Sequence, residues 1–249
     1  MTRPVTLVTG GTRGIGAATA LRLAADGHDL VLGHARDEVA ASETAAAVRE
    51  AGASCTVVRG DLTTDDGIDA LFAAATSGAG PLTGVVNNAG ATLHIAPLAE
   101  TPVDVVRRSI ELNLTAAILV ARAAVRALGR SYGGAGGVLV NIGSGAATLG
   151  APGEYVHYAS AKAGIDALTV GLAQEVAADG VRVVAVAPGL VDTRIHADAG
   201  DPGRLERVGG RVPLGRAGTP DEIAEAVAWL LSDAASYVTG TTLRVAGGR

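Results

Sequence analysis

The sequence predicts a doubly wound three-layer α/β fold, a seven-stranded parallel sheet between two layers of helices. Three observations carry this. Short β-branched runs recur along the chain and are almost continuously apolar, as strands buried on both faces must be. Alanine-rich stretches of helical length separate them, and such alternation implies parallel pairing with a helix at each crossover. The 249 residues, 48% of them hydrophobic, support one sizeable core, and no linker or internal repeat divides the chain. The expected organisation is one domain over residues 1–249.

The first strand is the β-branched run 5–8, entered directly from the polar start Met1-Thr2-Arg3-Pro4, which has no signal-peptide pattern. A helix follows at 15–25, then strand 29–32, helix 38–51, strand 54–59, helix 65–75 and strand 84–87. Residues 103–128 read as one long helix. The glycine loop 133–137 leads to strand 138–142, and a second long helix is expected at 155–178. Strand 181–187 comes next. Residues 192–211 are polar and glycine-rich without a clear period. Helix 221–231 and strand 242–245 close the fold.

Composition excludes several classes of partner. The net charge is −5 and no basic run exists, so a nucleic-acid partner is not expected. No apolar stretch reaches the roughly 18 residues of a membrane span. The lone Cys55 forms no internal disulfide, which fits a reducing cytoplasm. The five histidines and one cysteine are scattered, so no metal site is expected.

The turn after the first strand reads Thr9-Gly10-Gly11-Thr12-Arg13-Gly14-Ile15-Gly16. Glycines are required where backbone turns tightly against a pyrophosphate, and the N-terminus of the next helix favours an anion. Gly10, Thr12, Arg13, Gly14, Ile15 and Gly16 are therefore candidate nucleotide contacts. An acidic residue at the end of the second strand would accept the adenosine ribose hydroxyls and repel a 2′-phosphate. None stands between Leu30 and Arg36; His34 and Arg36 are there instead, with Arg13 nearby, which suits NADP(H). Asp37 lies just beyond and would reverse that preference if it reached the ribose. Asp61, followed by Leu62, fits either an adenine amino acceptor or the N-cap of a following turn. Asn88-Ala89-Gly90, with Asn87 before it, ends the fourth strand where small residues let a cofactor lie against the backbone.

One lysine stands against nineteen arginines, and it is Lys162. It follows Tyr158 by four residues, so the two share a helix face. A phenol is a slow acid–base group at neutral pH, and a nearby ammonium should lower its pKa. Ser144, just past the fifth strand, lies at the carboxyl edge of the sheet and is placed to hold a substrate C–O group. Asn113, a polar residue in an apolar helix, needs an internal partner. Tyr155 is a candidate substrate contact, and His157 and His94 read as surface or pocket-rim residues.

These motifs, in this order, resemble the short-chain dehydrogenase/reductase family, with Pro188-Gly189 and Val191-Asp192-Thr193 after the sixth strand also matching. The match covers essentially the whole chain and implies a Rossmann fold. It implies Tyr158 as proton donor or acceptor, Ser144 as the group polarising the C–O bond, and Lys162 as the residue tuning Tyr158 and holding the nicotinamide ribose. It implies that Asn113 holds a relay water, that Thr193 and the Val191 backbone anchor the carboxamide, and that 192–211 is a substrate lid. Pairing through the long helices into a homotetramer is implied too. The spacing from Ser144 to Tyr158 is one residue longer than in many members. The expected activity is NADP(H)-dependent interconversion of a small ketone or aldehyde and an alcohol. The alternatives are reduction of 3-oxoacyl-[acyl-carrier-protein] or polyketide substrates and, outside catalysis, a regulator that only binds NADP. The helix end Gln174-Glu175-Val176-Ala177-Ala178-Asp179 offers no basic face to an acidic carrier.

Overall fold

The computed structural model describes residues 3–78 and 80–249. Its centre is a seven-stranded parallel sheet in the order β3-β2-β1-β4-β5-β6-β7. The strands are β1 Val5–Val8, β2 Asp29–His34, β3 Cys55–Arg59, β4 Leu82–Asn87, β5 Gly137–Ile142, β6 Val181–Pro188 and β7 Thr242–Val245. β1, β4, β5 and β6 are buried along almost their whole length, which accounts for their continuous apolar character. One face of the sheet packs against α1 (Gly14–Ala25), α2 (Glu38–Glu50) and α9 (Pro220–Leu231) around Leu23, Leu32 and Val227. The other packs against α3 (Asp65–Thr76), α5 (Ala116–Leu128) and α7 (Val156–Val176) around Leu7, Leu71 and Leu139. The order reverses between β1 and β4, and a doubly wound sheet opens its ligand crevice at that point.

Five sequence expectations are corrected in detail. β2 runs two residues further, so Gly33 and His34 belong to the strand. The expected continuous helix 103–128 is α4 (Val103–Ile110), a π-helical turn (Glu111–Thr115) and α5. Tyr155 caps α7 and does not lie within it. Two short helices escaped the periodicity, α6 (Ala146–Leu149) and α8 (Arg204–Gly209); neither is long enough to show one. His157 is buried, not at a rim, and its Nε2 lies 3.3 Å from the Thr92 carbonyl.

Candidate active site

The carboxyl ends of β1, β2, β4, β5 and β6 open into one cleft of about 1100 Å³. Every residue selected from the sequence lines it except Gly16 and Asn113, which support its floor from behind.

At one end lies the glycine turn. Gly14 holds a left-handed φ of 51°, and a side chain at Gly16 would collide with the Gly10 carbonyl. Asn88 pins this turn to β4. Its Nδ2 donates to the Thr9 and Gly10 carbonyls at 2.9 and 3.1 Å, and the Thr9 hydroxyl accepts from the Asn88 and Ala89 N–H groups. The Thr12 carbonyl accepts from Thr44, which fixes the turn to α2. The first turn of α1 has no side-chain cap and no acidic residue, so its N–H groups are left for an anion.

The charged groups beyond β2 form an arrangement that sequence alone did not disclose. Arg13 lies 3.4 Å from Asp37 and 3.8 Å from Asp198. The other Asp37 oxygen accepts the Ala40 N–H and caps α2, so both of its oxygens are committed. Arg36 is exposed at the cleft edge and forms no ion pair among the described residues. His34 is buried with its Nε2 3.6 Å from Glu38, and its Nδ1 has no partner. Asp61 caps the turn that follows β3, while Thr64 caps α3. The Asp61 carboxyl accepts the Thr63 N–H and hydroxyl, which hold it below the usual carboxylate range, and Arg36 adds to the effect. Leu62 is buried behind it.

At the other end stand Ser144, Tyr158 and Lys162. The Ser144 hydroxyl accepts the Ala146 N–H at 3.1 Å and lies in hydrogen-bonding reach of the Tyr158 hydroxyl. Lys162 Nζ donates to the Ile142 carbonyl at 2.7 Å and lies 5.7 Å from the centre of the Tyr158 ring. The π-helical turn carries Asn113 inward. Its Nδ2 donates to the Ala91 and Ser109 carbonyls and its Oδ1 accepts the Ala91 N–H, so this one side chain closes the orphan groups of the bulge and fixes the loop after β4. Pro188 and Gly189 end β6, and Val191 bridges to Gly218 beside them. Thr193 stands over Gly14.

The expected lowering of the Tyr158 pKa is not found in the protein alone. Burial pushes the phenol up to about 12, with the Ser144 hydroxyl pulling the other way. Lys162 is itself pushed down to about 8 by burial, against the attraction of Asp166, and one of its three N–H groups is donated to the Ile142 carbonyl. Tyr158 is therefore a neutral phenol at neutral pH.

Three cleft-lining neighbours were missed by the sequence reading. Arg204, Glu154 and His196 line the same end, grouped around Tyr155. No local signal marks them, because the contacts that join them run between residues about fifty positions apart.

A family model described as enoyl-(acyl carrier protein) reductase matches residues 10–249. The chain is a short-chain dehydrogenase/reductase. It is 42% identical over 245 residues to the uncharacterized oxidoreductase YgfF of Escherichia coli K12, covering 98% of this chain and 99% of that one. It is 42% identical over 247 residues to cis-4-hydroxycyclohexanecarboxylate dehydrogenase of Sinomonas cyclohexanicum, covering 98% and 95%. Among solved structures it resembles a 3-ketoacyl-(acyl-carrier-protein) reductase of Brucella melitensis complexed with NADH, with a TM-score of 0.90, 29% identity, and coverage of 99% and 98%. As a short-chain dehydrogenase/reductase it is an oxidoreductase of the alcohol/ketone type, and the family uses a nicotinamide cofactor. The bare glycine turn and the uncapped N-terminus of α1 fit a dinucleotide. Among the described residues no group of three or more His, Cys, Asp or Glu side chains is placed to hold a metal ion.

Proposed function

We propose that the protein reduces a small ketone, or oxidises the matching secondary alcohol, with NADP(H). The observation that carries this is the grouping at the substrate end: the buried phenol of Tyr158 and the Ser144 hydroxyl line one cleft, with the Lys162 ammonium 5.7 Å from the centre of the Tyr158 ring. A phenol holds its proton at neutral pH with or without the effect of burial, so Tyr158 is placed to give that proton to a carbonyl oxygen in reduction and to take one back in oxidation. The bound nicotinamide supplies the hydride. Ser144 donates to the carbonyl oxygen and polarises it; Tyr158 then protonates that oxygen as charge develops. Lys162 and Asn113 hold the strand end and the loop that carry this geometry.

NADP(H) is the proposed cofactor because Arg36, exposed just beyond β2, has no ion pair among the described residues while each Asp37 oxygen already has a partner. A carboxylate already capping a helix and paired to Arg13 is a poor acceptor for ribose hydroxyls. The substrate body is proposed to be compact and apolar, because Ala146, Ala151, Tyr155, Ala159 and Ile95 cluster around Tyr158. The Sinomonas relative acts, by its name, on a ring alcohol, so cyclohexanones and their alcohols head the test panel. The Brucella neighbour keeps 3-oxoacyl carriers as the second reading, although Glu175 and Asp179 on the α7 end disfavour an acidic partner. The chain is also proposed to form a homotetramer through the α5 and α7 faces, where Ile118 and Val170 are exposed; a one-chain mass by light scattering would refute this.

NADPH oxidation with cyclic ketones, acyclic ketones, aldehydes and a 3-oxoacyl thioester tests the activity. Turnover of small ketones is expected. Tight NADPH binding with no turnover anywhere in the panel would instead favour a binding-only regulator.

A further inference from the structure

The segment 192–211 is joined to the wall beside Tyr158 by one buried cation. Arg204, the first residue of α8, is only 3% exposed. Its guanidinium fork donates to both Glu154 oxygens, at 2.5 and 2.7 Å, and to the Tyr155 hydroxyl at 2.9 Å. It also lies 5.1 Å from the centre of the Tyr155 ring. That ring meets the Tyr158 ring edge-on, at 5.7 Å and 85°, and stacks on His196 from the same segment at 6.4 Å. Arg204 Nε and His196 Nδ1 are buried with no partner. An ion pair taken out of water is weak evidence for stability, because desolvation offsets much of its attraction. A role for this one is therefore to be sought elsewhere than in the folding energy.

The opposite wall is equally committed. Ala151 holds a left-handed φ of 47° between Gly150 and Gly153, and its carbonyl accepts the Glu154 and Tyr155 N–H groups. The Glu154 carbonyl accepts the Ala96 N–H at 2.8 Å, which ties the same corner to the loop after β4. In that loop Leu93 is the other described non-glycine residue with positive φ, at 66°. Strained backbone of this kind persists where surrounding contacts over-determine it, and both instances border the substrate end.

We infer, building on the reading in the preceding section, that Arg204 is a positioning residue for the reaction. Paired with Glu154 it latches 192–211 over the substrate end. Through the Tyr155 hydroxyl it sets the ring that wedges Tyr158 in place. Closure of this segment and placement of the proton donor are thereby one event. Arginine is required because three acceptor oxygens on two residues are met by one planar fork, which a lysine ammonium cannot reproduce.

The test uses Arg204→Lys, Tyr155→Phe, the double variant, and Arg207→Gln as a control. Arg207 lies on the same helix, but its guanidinium is exposed and pairs with the half-buried Asp201, away from Glu154 and Tyr155. Arg204→Lys is expected to lower kcat by about tenfold or more, and Arg207→Gln to change it by less than about twofold. Tyr155→Phe should add almost nothing in the Arg204→Lys background, because the two act in one line. Amide exchange across 204–209 should quicken in Arg204→Lys. Additive losses, a loss confined to KM, or an Arg204→Lys variant no worse than the control would overturn the inference. If the wild type turns over no carbonyl compound, the proposed activity fails and amide exchange decides this point alone. Faster exchange in Arg204→Lys then supports the latch, and unchanged exchange overturns it.

Discussion

At the nucleotide end, backbone groups are held mostly by partners close by in the chain or on the adjoining strand, and the longer reaches are Thr44 to Thr12 and Arg13 to Asp37 and Asp198. Asp37 and Asp61 take N–H groups two or three residues on, and Asn88 reaches from β4 to the neighbouring β1. At the substrate end, Tyr155 and Glu154 depend on Arg204, about fifty residues later, and on Ala96, nearly sixty residues earlier. One end is a property of strand termini and turns. The other exists only when three separate segments close on one another. A scaffold of the first kind accommodates loop variation without losing its cofactor, and one of the second kind is where substrate choice is set.

Lys162 stands where the two ends meet, and the largest effect is expected there. Lys162→Arg should lower kcat by more than about tenfold although charge is kept, because a planar guanidinium does not fit against the Ile142 carbonyl and the Tyr158 ring together. A variant retaining over about a tenth of wild-type kcat, a barrier change under about 1.4 kcal/mol, would break the idea that this position serves both ends.

The next effect lies wholly at the nucleotide end. NADPH should bind at least about tenfold more tightly than NADH at equal ionic strength, since charge-assisted hydrogen bonds contribute roughly 1.5–3 kcal/mol each. Arg36→Ala should remove most of that preference. Arg13→Ala should remove less, because Arg13 is already paired with Asp37 and Asp198. Equal affinities in the wild type, or a preference untouched by Arg36→Ala, would show that Asp37 governs the ribose instead.

The smallest effect concerns stability. Burial lowers the Lys162 pKa from 10.5 to about 8, so below pH 8 the fold carries the full cost of an enclosed ammonium. Between about pH 8 and 10.5 the unfolded chain holds more protons, and stability rises with pH across that window. Lys162→Met removes the charge but loses the bond to Ile142. A net gain of about 1 kcal/mol, or about 2–4 °C in Tm, is expected near pH 7 and should shrink as pH rises through that window. Tyr158, raised to about 12, acts with the opposite sign above pH 10 and is common to both proteins. Calorimetry near pH 7 and pH 9.5 checks this; a less stable Met variant near pH 7, or an equal gain at both values, would contradict it.

The sequence by itself determined the order of strands and helices, the parallel sheet, the glycine turn, and the sharing of one helix face by Tyr158 and Lys162. These follow from apolar periodicity, glycine chemistry and a four-residue spacing, all of them short-range. Tertiary structure alone decided that Asp37 captures Arg13, that Asn113 sits in a π-helical turn, that burial raises the Tyr158 pKa, and that Arg204 is buried against Glu154 and Tyr155. Desolvation and ion pairing depend on every group within a few ångströms, whatever its distance along the chain. A local pattern therefore places a residue at an element or a sheet edge, while only the closed fold assigns its partner and its charge state.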